Sequence, residues 1–173
     1  VTLVGIIAAD TSLYVSDYTA TEKTFQLLTQ AAGRAGRGQK EGEVVIQSYN
    51  PEHYAIVAAA EQNYVQFYQK ELIFRKVAQY PPIFHILTVQ ISSRSEEKLT
   101  AAAQIYMEIA EQMADKQCRI IGPVNAAIYK IQDFYRKMAY IKHIEYGILL
   151  GMKEKIEQQI ANHPSFLGIS LMY

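Results

Sequence analysis

The sequence predicts a mixed α/β chain in two parts, the end of an α/β lobe followed by a smaller α+β domain. Three observations lead there. An apolar run at residues 1–9 and a second strand-like run at 43–47 flank a helical pattern. Tyr80-Pro81-Pro82 then interrupts a long helical stretch, because proline disfavours helix in the residue before it. Beyond Pro82 the hydrophobic period alternates between that of strands and that of helices in a regular order.

Each element has a local cause. The run at 1–9 carries almost no polar residue, as expected of a strand buried on both faces of a parallel sheet. Asp10 follows at its C-terminal end, where ligands of α/β sheets usually lie. Thr19-x-x-Glu22 has the spacing of a capping box and opens a helix whose buried stripe is Phe25, Leu28 and Ala32. The glycines at 33, 36 and 38 stop it. Residues 43–47 return as a strand. Pro51 begins a helical region to about Gln79, with Tyr64, Phe67, Tyr68, Leu72 and Arg75 at helical spacing. It is expected to link two domains, giving boundaries of 1–50, 51–80 and 81–173.

In the last part, residues 84–92 alternate as a strand. Ser95 with Glu96 and Glu97 reads as a capped helix start. Leu99, Ala102, Ala103, Tyr106, Ile109, Ala110 and Met113 hold one helical face. Residues 119–131 and 135–149 are expected as two strands, hairpinned around Gln132-Asp133. Met152, Ile156 and Ile160 mark a second helix, and 166–172 a last strand. The order β-α-β-β-α-β is that of a ferredoxin-like domain.

The chain has 173 residues, half of them apolar, with 17 Lys and Arg against 17 Asp and Glu. A domain devoted wholly to nucleic acid is usually basic overall, so any such contact has to use local patches. The single cysteine, Cys118, excludes an internal disulfide and a cysteine-rich zinc site, and fits a reducing cytoplasm. No apolar run reaches the roughly 18–20 residues of a membrane span. The chain starts Val-Thr-Leu-Val inside a strand and reads as a piece of a longer protein. Histidines 53, 85, 143 and 163 lack metal-ligand spacing, so no metal site is expected.

The sharpest motif is Gln30-Ala31-Ala32-Gly33-Arg34-Ala35-Gly36-Arg37-Gly38. On a helix, Gln30, Arg34 and Arg37 share one face. Gly33 and Gly36 keep that face clear of side chains, so another surface can approach. Two guanidinium forks so placed suit a polyphosphate held by a second domain. The phosphate-cradling loop ending Gly-Lys-Ser/Thr is absent from these residues.

This motif resembles motif VI of superfamily 2 helicases, Gln-x-x-Gly-Arg-x-Gly-Arg, and residues 1–10 resemble motif V. With Asp17-Tyr18-Thr19-Ala20-Thr21-Glu22, Ile46-Gln47-Ser48-Tyr49-Asn50-Pro51-Glu52-His53, Tyr80-Pro81-Pro82 and Gly122-Pro123-Val124, the whole chain resembles the C-terminal part of the primosomal replication-restart DNA helicases. The resemblance implies that the first part is the end of a RecA-like second helicase lobe. It implies Arg37 as an arginine finger, Arg34 as a second phosphate contact and Gln30 as an orienting group. Gly33, Gly36 and Asp10 would line the ATP site. Asp10 serves equally as a turn cap on its residues alone. ATP with magnesium, held mainly by a lobe outside this chain, and zinc in an insertion outside it, are the implied cofactors; none is expected in the chain itself. Forked and single-stranded DNA, primosome proteins and single-strand-binding proteins are the implied partners, in the cytoplasm and without a membrane.

The second candidate is the hairpin from Tyr129 to His143. Lys130, Arg136, Lys137 and Lys142 stand there against one acid, Asp133, with Tyr129, Phe134, Tyr135 and Tyr140 interleaved. Cations for phosphates and rings for bases make a single-strand surface. Lys130, Tyr135, Arg136, Lys137 and Lys142 are the expected DNA contacts. An edge hairpin whose lysines block aggregation is the bland alternative. Two other readings of the chain stay open, a non-enzymatic single-stranded DNA-binding module and a replication-protein docking module.

Overall fold

A computed structural model describes residues 2–35 and 42–173. The chain forms two compact units, Val1–Ala78 and Gln79–Tyr173. Sheets and helices are mixed in both.

In the first unit β1 (Leu3–Ile6) pairs in parallel with β2 (Glu43–Ile46), in the register Leu3 to Glu43 through Ile6 to Ile46. The two strands are separated by helix α1 (Ala20–Ala32). The parallel pairing matches the apolar run, but burial on both faces does not occur: Leu3 is 58% and Ile7 78% exposed. A two-stranded ribbon has only one layer of helices to cover it.

Of the residues 51–80 expected as a linker, those up to Ala78 belong to this unit and form α2 (Tyr54–Ala60) and α3 (Tyr64–Val77). Ala55, Ile56, Ala58, Ala59 and Phe67 join Phe25 and Leu28 of α1 in one core. Phe25 and Phe67 stack at 4.2 Å. The break between α2 and α3 falls at Gln62, at φ +51°, and the Asn63 side chain then caps α3 by accepting the Gln66 N–H.

The expected capping box at the start of α1 does not form. The Thr19 side chain makes no cap bond to the helix. Its hydroxyl donates instead to Asp17 Oδ2 at 2.8 Å, and its N–H to Asp17 Oδ1 at 2.9 Å. Lys23 Nζ lies 2.6 Å from the same carboxylate. Asp17, two residues before Thr19, thus takes the Thr19 N–H that a capping box would have given to Glu22. The Lys23 bond and the two Thr19 bonds hold its carboxyl down to about 2. A depressed carboxyl adds stability above its unfolded value, near 4, and loses it as pH falls through the folded one. Thermal melts of the chain between pH 4 and pH 2 should therefore show a stability loss that Asp17→Asn reduces. An identical pH slope in the variant would remove Asp17 as its source.

Glu22 is free for another task. Its Oε2 meets Arg75 Nη2 at 2.8 Å, while Arg75 Nε meets Glu71 Oε1 at 2.7 Å. Tyr54 donates its hydroxyl to the other Glu71 oxygen at 2.5 Å. These bonds join α1, α2 and α3, with Arg75 and Glu71 buried and Glu22 at the exposed edge. Burial alone would weaken the Arg75 charge, but Glu71 and Glu22 outweigh it and raise its pKa.

The second unit holds β3 (His85–Ser93), α4 (Glu96–Met113), β4 (Arg119–Ile131), β5 (Phe134–His143), α5 (Tyr146–Ile160) and β6 (Ser170–Met172). Its strands lie in the order β4-β5-β3-β6, every neighbouring pair antiparallel. Ser95 caps α4 as expected, its Oγ accepting the Lys98 N–H at 3.3 Å. Val89, Ile91, Ala139 and Ile141 of the sheet share one core with Leu99, Ala103, Tyr106, Met152 and Ile156 of the helices. One face of the sheet is therefore the helix face.

Two expectations here overshoot. Residues 144–149 do not extend the strand, because β5 ends at His143 and α5 begins at Tyr146. His143 causes the stop: its buried Nδ1 accepts the Glu145 N–H at 2.9 Å and turns the chain. The last strand keeps only Ser170–Met172, after a short 3-10 turn at Pro164–Phe166. The hairpin turn is at Gln132-Asp133, with Ile131 paired to Phe134 and Gln132 at φ +51°. β4 carries bulges between Ile121 and Val124 and between Asn125 and Lys130. Gly122 stands at the first with φ +119°, where a Cβ would meet Met138 O at 2.8 Å.

Candidate functional site

The motif at the end of α1 is placed by the core just described. Phe25, Leu28 and Ala32 face inward, which leaves Gln30 on the solvent side of the helix. The helix closes at Gly33, whose N–H reaches Thr29 O at 2.9 Å. The next two amides bond three residues back, Arg34 to Ala31 at 3.1 Å and Ala35 to Ala32 at 3.1 Å. This tighter winding continues the helix path for one short turn, so Arg34 follows Gln30 on the exposed side. Both are exposed, as is Gly33. A Cβ at Gly33 would find Thr29 O at 3.4 Å and nothing closer, so the local backbone does not demand glycine. The open surface it leaves suits the approach of a second body. Gly36 and Arg37 lie outside the described residues.

Asp10 sits at the C-terminal end of the β1 segment and is 1% exposed. Its Oδ2 accepts the Tyr49 N–H at 3.2 Å, and its Oδ1 is buried with no hydrogen-bond partner among the described residues. The carboxylate ties the segment after β1 to the loop after β2. That structural task is visible; direct access of a nucleotide to so buried a group is not. Gln30 and Arg34 are two exposed donors beside a glycine. Cys118 alone does not fit a zinc site. Among the described residues no three His, Cys, Asp or Glu side chains gather as a metal site, and no helix is long and apolar enough to cross a membrane.

The five hairpin residues do not form one surface. Strand alternation puts Tyr135 and Lys137 on the side of Ala139 and Ile141, the helix face, and Arg136 and Lys142 on the other. Tyr135 pairs with Lys130, whose Nζ lies 4.6 Å from its ring centroid and 3.2 Å from its hydroxyl. Tyr129 packs beside them, rings 5.6 Å apart, and donates to Glu96 Oε1 at 2.9 Å. Burial and that carboxylate push the Tyr129 hydroxyl pKa up. Lys137 reaches Asn125 Oδ1 at 3.3 Å, and Arg136 Nη2 donates to Ile128 O at 2.6 Å.

Lys142 departs most from its expected role. It is 5% exposed, with Nζ 3.7 Å from the centroid of the Tyr80 ring. Burial and the neighbouring Arg119 lower its pKa. It anchors the segment that enters β3 and offers little surface to a ligand.

Comparison with known proteins adds a family to this geometry. Residues 76–163 match the family described as Primosomal protein N C-terminal domain. Replication restart protein PriA of Bacillus subtilis (strain 168) is 38% identical over 156 residues, 90% of this chain and 19% of that protein. Replication restart protein PriA of Synechocystis sp. is 36% identical over 158 residues, 91% of this chain and 19% of that protein. The protein of the same name from Rickettsia conorii is 38% identical over 137 residues, 78% of this chain and 20% of that protein. The chain spans about a fifth of the length of the curated relatives it matches.

Proposed function

The chain belongs to the family of replication restart protein PriA, and on that premise we propose that it supplies two working parts of an ATP-driven DNA helicase of replication restart. The first is the arginine side of the ATP cleft. The second is a DNA grip in the unit from Gln79 to Tyr173.

The observation that carries the reading is the exposed pair Gln30 and Arg34 at the end of a helix whose other face is fully packed. The parallel strand–helix–strand order of the first unit supports reading it as the end of a RecA-like lobe. The β-α-β-β-α-β order and the β4-β5-β3-β6 sheet support reading the second as ferredoxin-like.

The mechanism follows from these parts. ATP and magnesium are held mainly by residues outside this chain. Arg37 then reaches the γ-phosphate as a finger and Arg34 makes a second phosphate contact. A guanidinium there offsets charge on the transferring phosphoryl group. Gln30 orients the water or the phosphates. Asp10 keeps the end of β1 in place. Loss of the γ-phosphate removes what the arginines hold, and the cleft opens. Repeated closure moves the protein in the 3′-to-5′ direction on single-stranded DNA. Primosome and single-strand-binding proteins are the partners of the full-length protein, in the bacterial cytoplasm; zinc belongs to an insertion outside this chain.

The chain alone carries only one side of the cleft. It is expected to show no steady ATPase above a buffer blank, with or without DNA, while binding a fluorescent single-stranded oligonucleotide in a salt-sensitive way. Steady turnover by the pure chain would sink the assignment of the phosphate-cradling half to the rest of the protein.

A further inference from the structure

From the second unit's sheet we infer that the face opposite its helices is a track for single-stranded nucleic acid, with Tyr140 as the stacking platform and Arg94 and Arg119 as the phosphate contacts. This rests on the reading of the unit as a DNA grip and says which surface does the gripping.

The face is fixed by register. Val89 and Ile91 of β3 and Ala139 and Ile141 of β5 belong to the helix-side core. Their neighbours Thr88, Gln90, Met138 and Tyr140 therefore point the other way, with Thr88 directly opposite Tyr140 and Gln90 opposite Met138. Phe134 of β5 falls on this face by the same alternation, and Arg94 lies 5.2 Å from the centroid of its ring.

The occupant follows from charge. Arg94, Arg119 and Arg136 attach to this face, with Lys142 buried beneath the Tyr80 ring. Among the described residues, none that the sheet places on it is Asp or Glu. In a chain with 17 acids and 17 bases, a sheet face with cations alone is complementary to a polyanion. Arg94 and Arg119 are exposed, at opposite ends of the face. Arg119 pairs with Lys142, and Arg94 follows Ser93, which pairs with Tyr135. The distance along β5 is roughly 23 Å. Between them lies a central-strand tyrosine flanked by a hydroxyl and an amide. Unpaired bases stack on such rings and bond to such groups, whereas a duplex presents neither freely.

The test uses the whole chain and a fluorescent oligothymidylate. Arg94→Ala with Arg119→Ala should weaken binding about tenfold or more at low salt and reduce the log–log salt slope by about 1.4, two phosphates on a single strand. Tyr140→Leu should weaken it about tenfold without changing that slope, and lose this effect on an abasic strand; Tyr140→Phe should retain binding. Lys130→Ala with Lys137→Ala, on the helix side, should bind within about twofold of the parent. A 5-iodouracil strand cross-linked to the unaltered chain should mark Tyr140, a readout independent of how any variant folds. Loss of binding in the Lys130/Lys137 variant with binding kept in the other two, or an adduct at Tyr129 or Tyr135, overturns the face assignment alone. No binding by the unaltered chain overturns the DNA grip itself, and this track with it.

Discussion

Arg37→Ala in the full-length protein is expected to lower DNA-stimulated ATP hydrolysis about a thousandfold, equivalent to roughly 4 kcal/mol of transition-state stabilisation. The size follows from the task. A guanidinium at the γ-phosphate acts where charge moves in the transition state, and water cannot replace it in a closed cleft. The loss should fall on kcat, with KM for ATP changed far less, because binding of the ground state depends on the phosphate-cradling residues elsewhere. Arg37→Lys should rescue poorly, since an ammonium lacks the planar fork. Arg34→Ala should cost less, about ten- to a hundredfold, as a supporting contact. Single-turnover hydrolysis with saturating DNA reads both. ATPase within threefold of the parent in Arg37→Ala would make the motif incidental and leave the chain as a binding module.

Arg75→Met should be the most damaging single change to the first unit, at about 3–5 kcal/mol. Glu71 is 5% exposed and takes its charged bond from Arg75 at 2.7 Å. Removing the guanidinium leaves the carboxylate buried, with the Tyr54 hydroxyl as its remaining donor. For a unit of this size the loss corresponds to a drop in melting temperature of about 12 °C or more. Glu22→Gln should cost under about 1 kcal/mol, because its side chain is 41% exposed and water can replace the partner. Glu71→Leu combined with Arg75→Met should recover most of the stability, since the penalty comes from an unpaired buried charge. Urea unfolding followed by tyrosine fluorescence and circular dichroism measures all three. Equal losses for Glu22→Gln and Arg75→Met would show that the cluster acts as surface charge only.

The elements legible in the residues were those with a strong local cause. The Ser95 cap, the α4 stripe from Leu99 to Ala110 and the Gln132-Asp133 turn depend on neighbours a few positions away. The end of β5 was not legible, because residues 144–149 keep an apolar alternation and the stop comes from the buried His143 ring. Thr19-x-x-Glu22 had the right spacing for a box, yet Asp17 competes for Thr19 and Arg75, fifty-three residues on, takes Glu22. Spacing reports which local bonds are available, and tertiary partners select among them.

The candidate sites divide in the same way. Gln30, Gly33 and Arg34 are a short-range pattern on one helix, so their common exposed side could be read before any fold was known. The sequence alone also determined the mixed α/β character and the family resemblance. Which hairpin cations share a surface depended on something else. Lys130 and Lys137 go to one face and Arg136 to the other, Lys142 is buried under Tyr80, and Arg94 and Arg119 join a face with Tyr140. Those groupings come from the pairing of β3 with β5, strands some fifty residues apart, and from bulges that shift the register of β4. A strand's own alternation shows which residues share a side. Only its long-range partners, and the helices packed against it, decide which side is core and which meets a ligand.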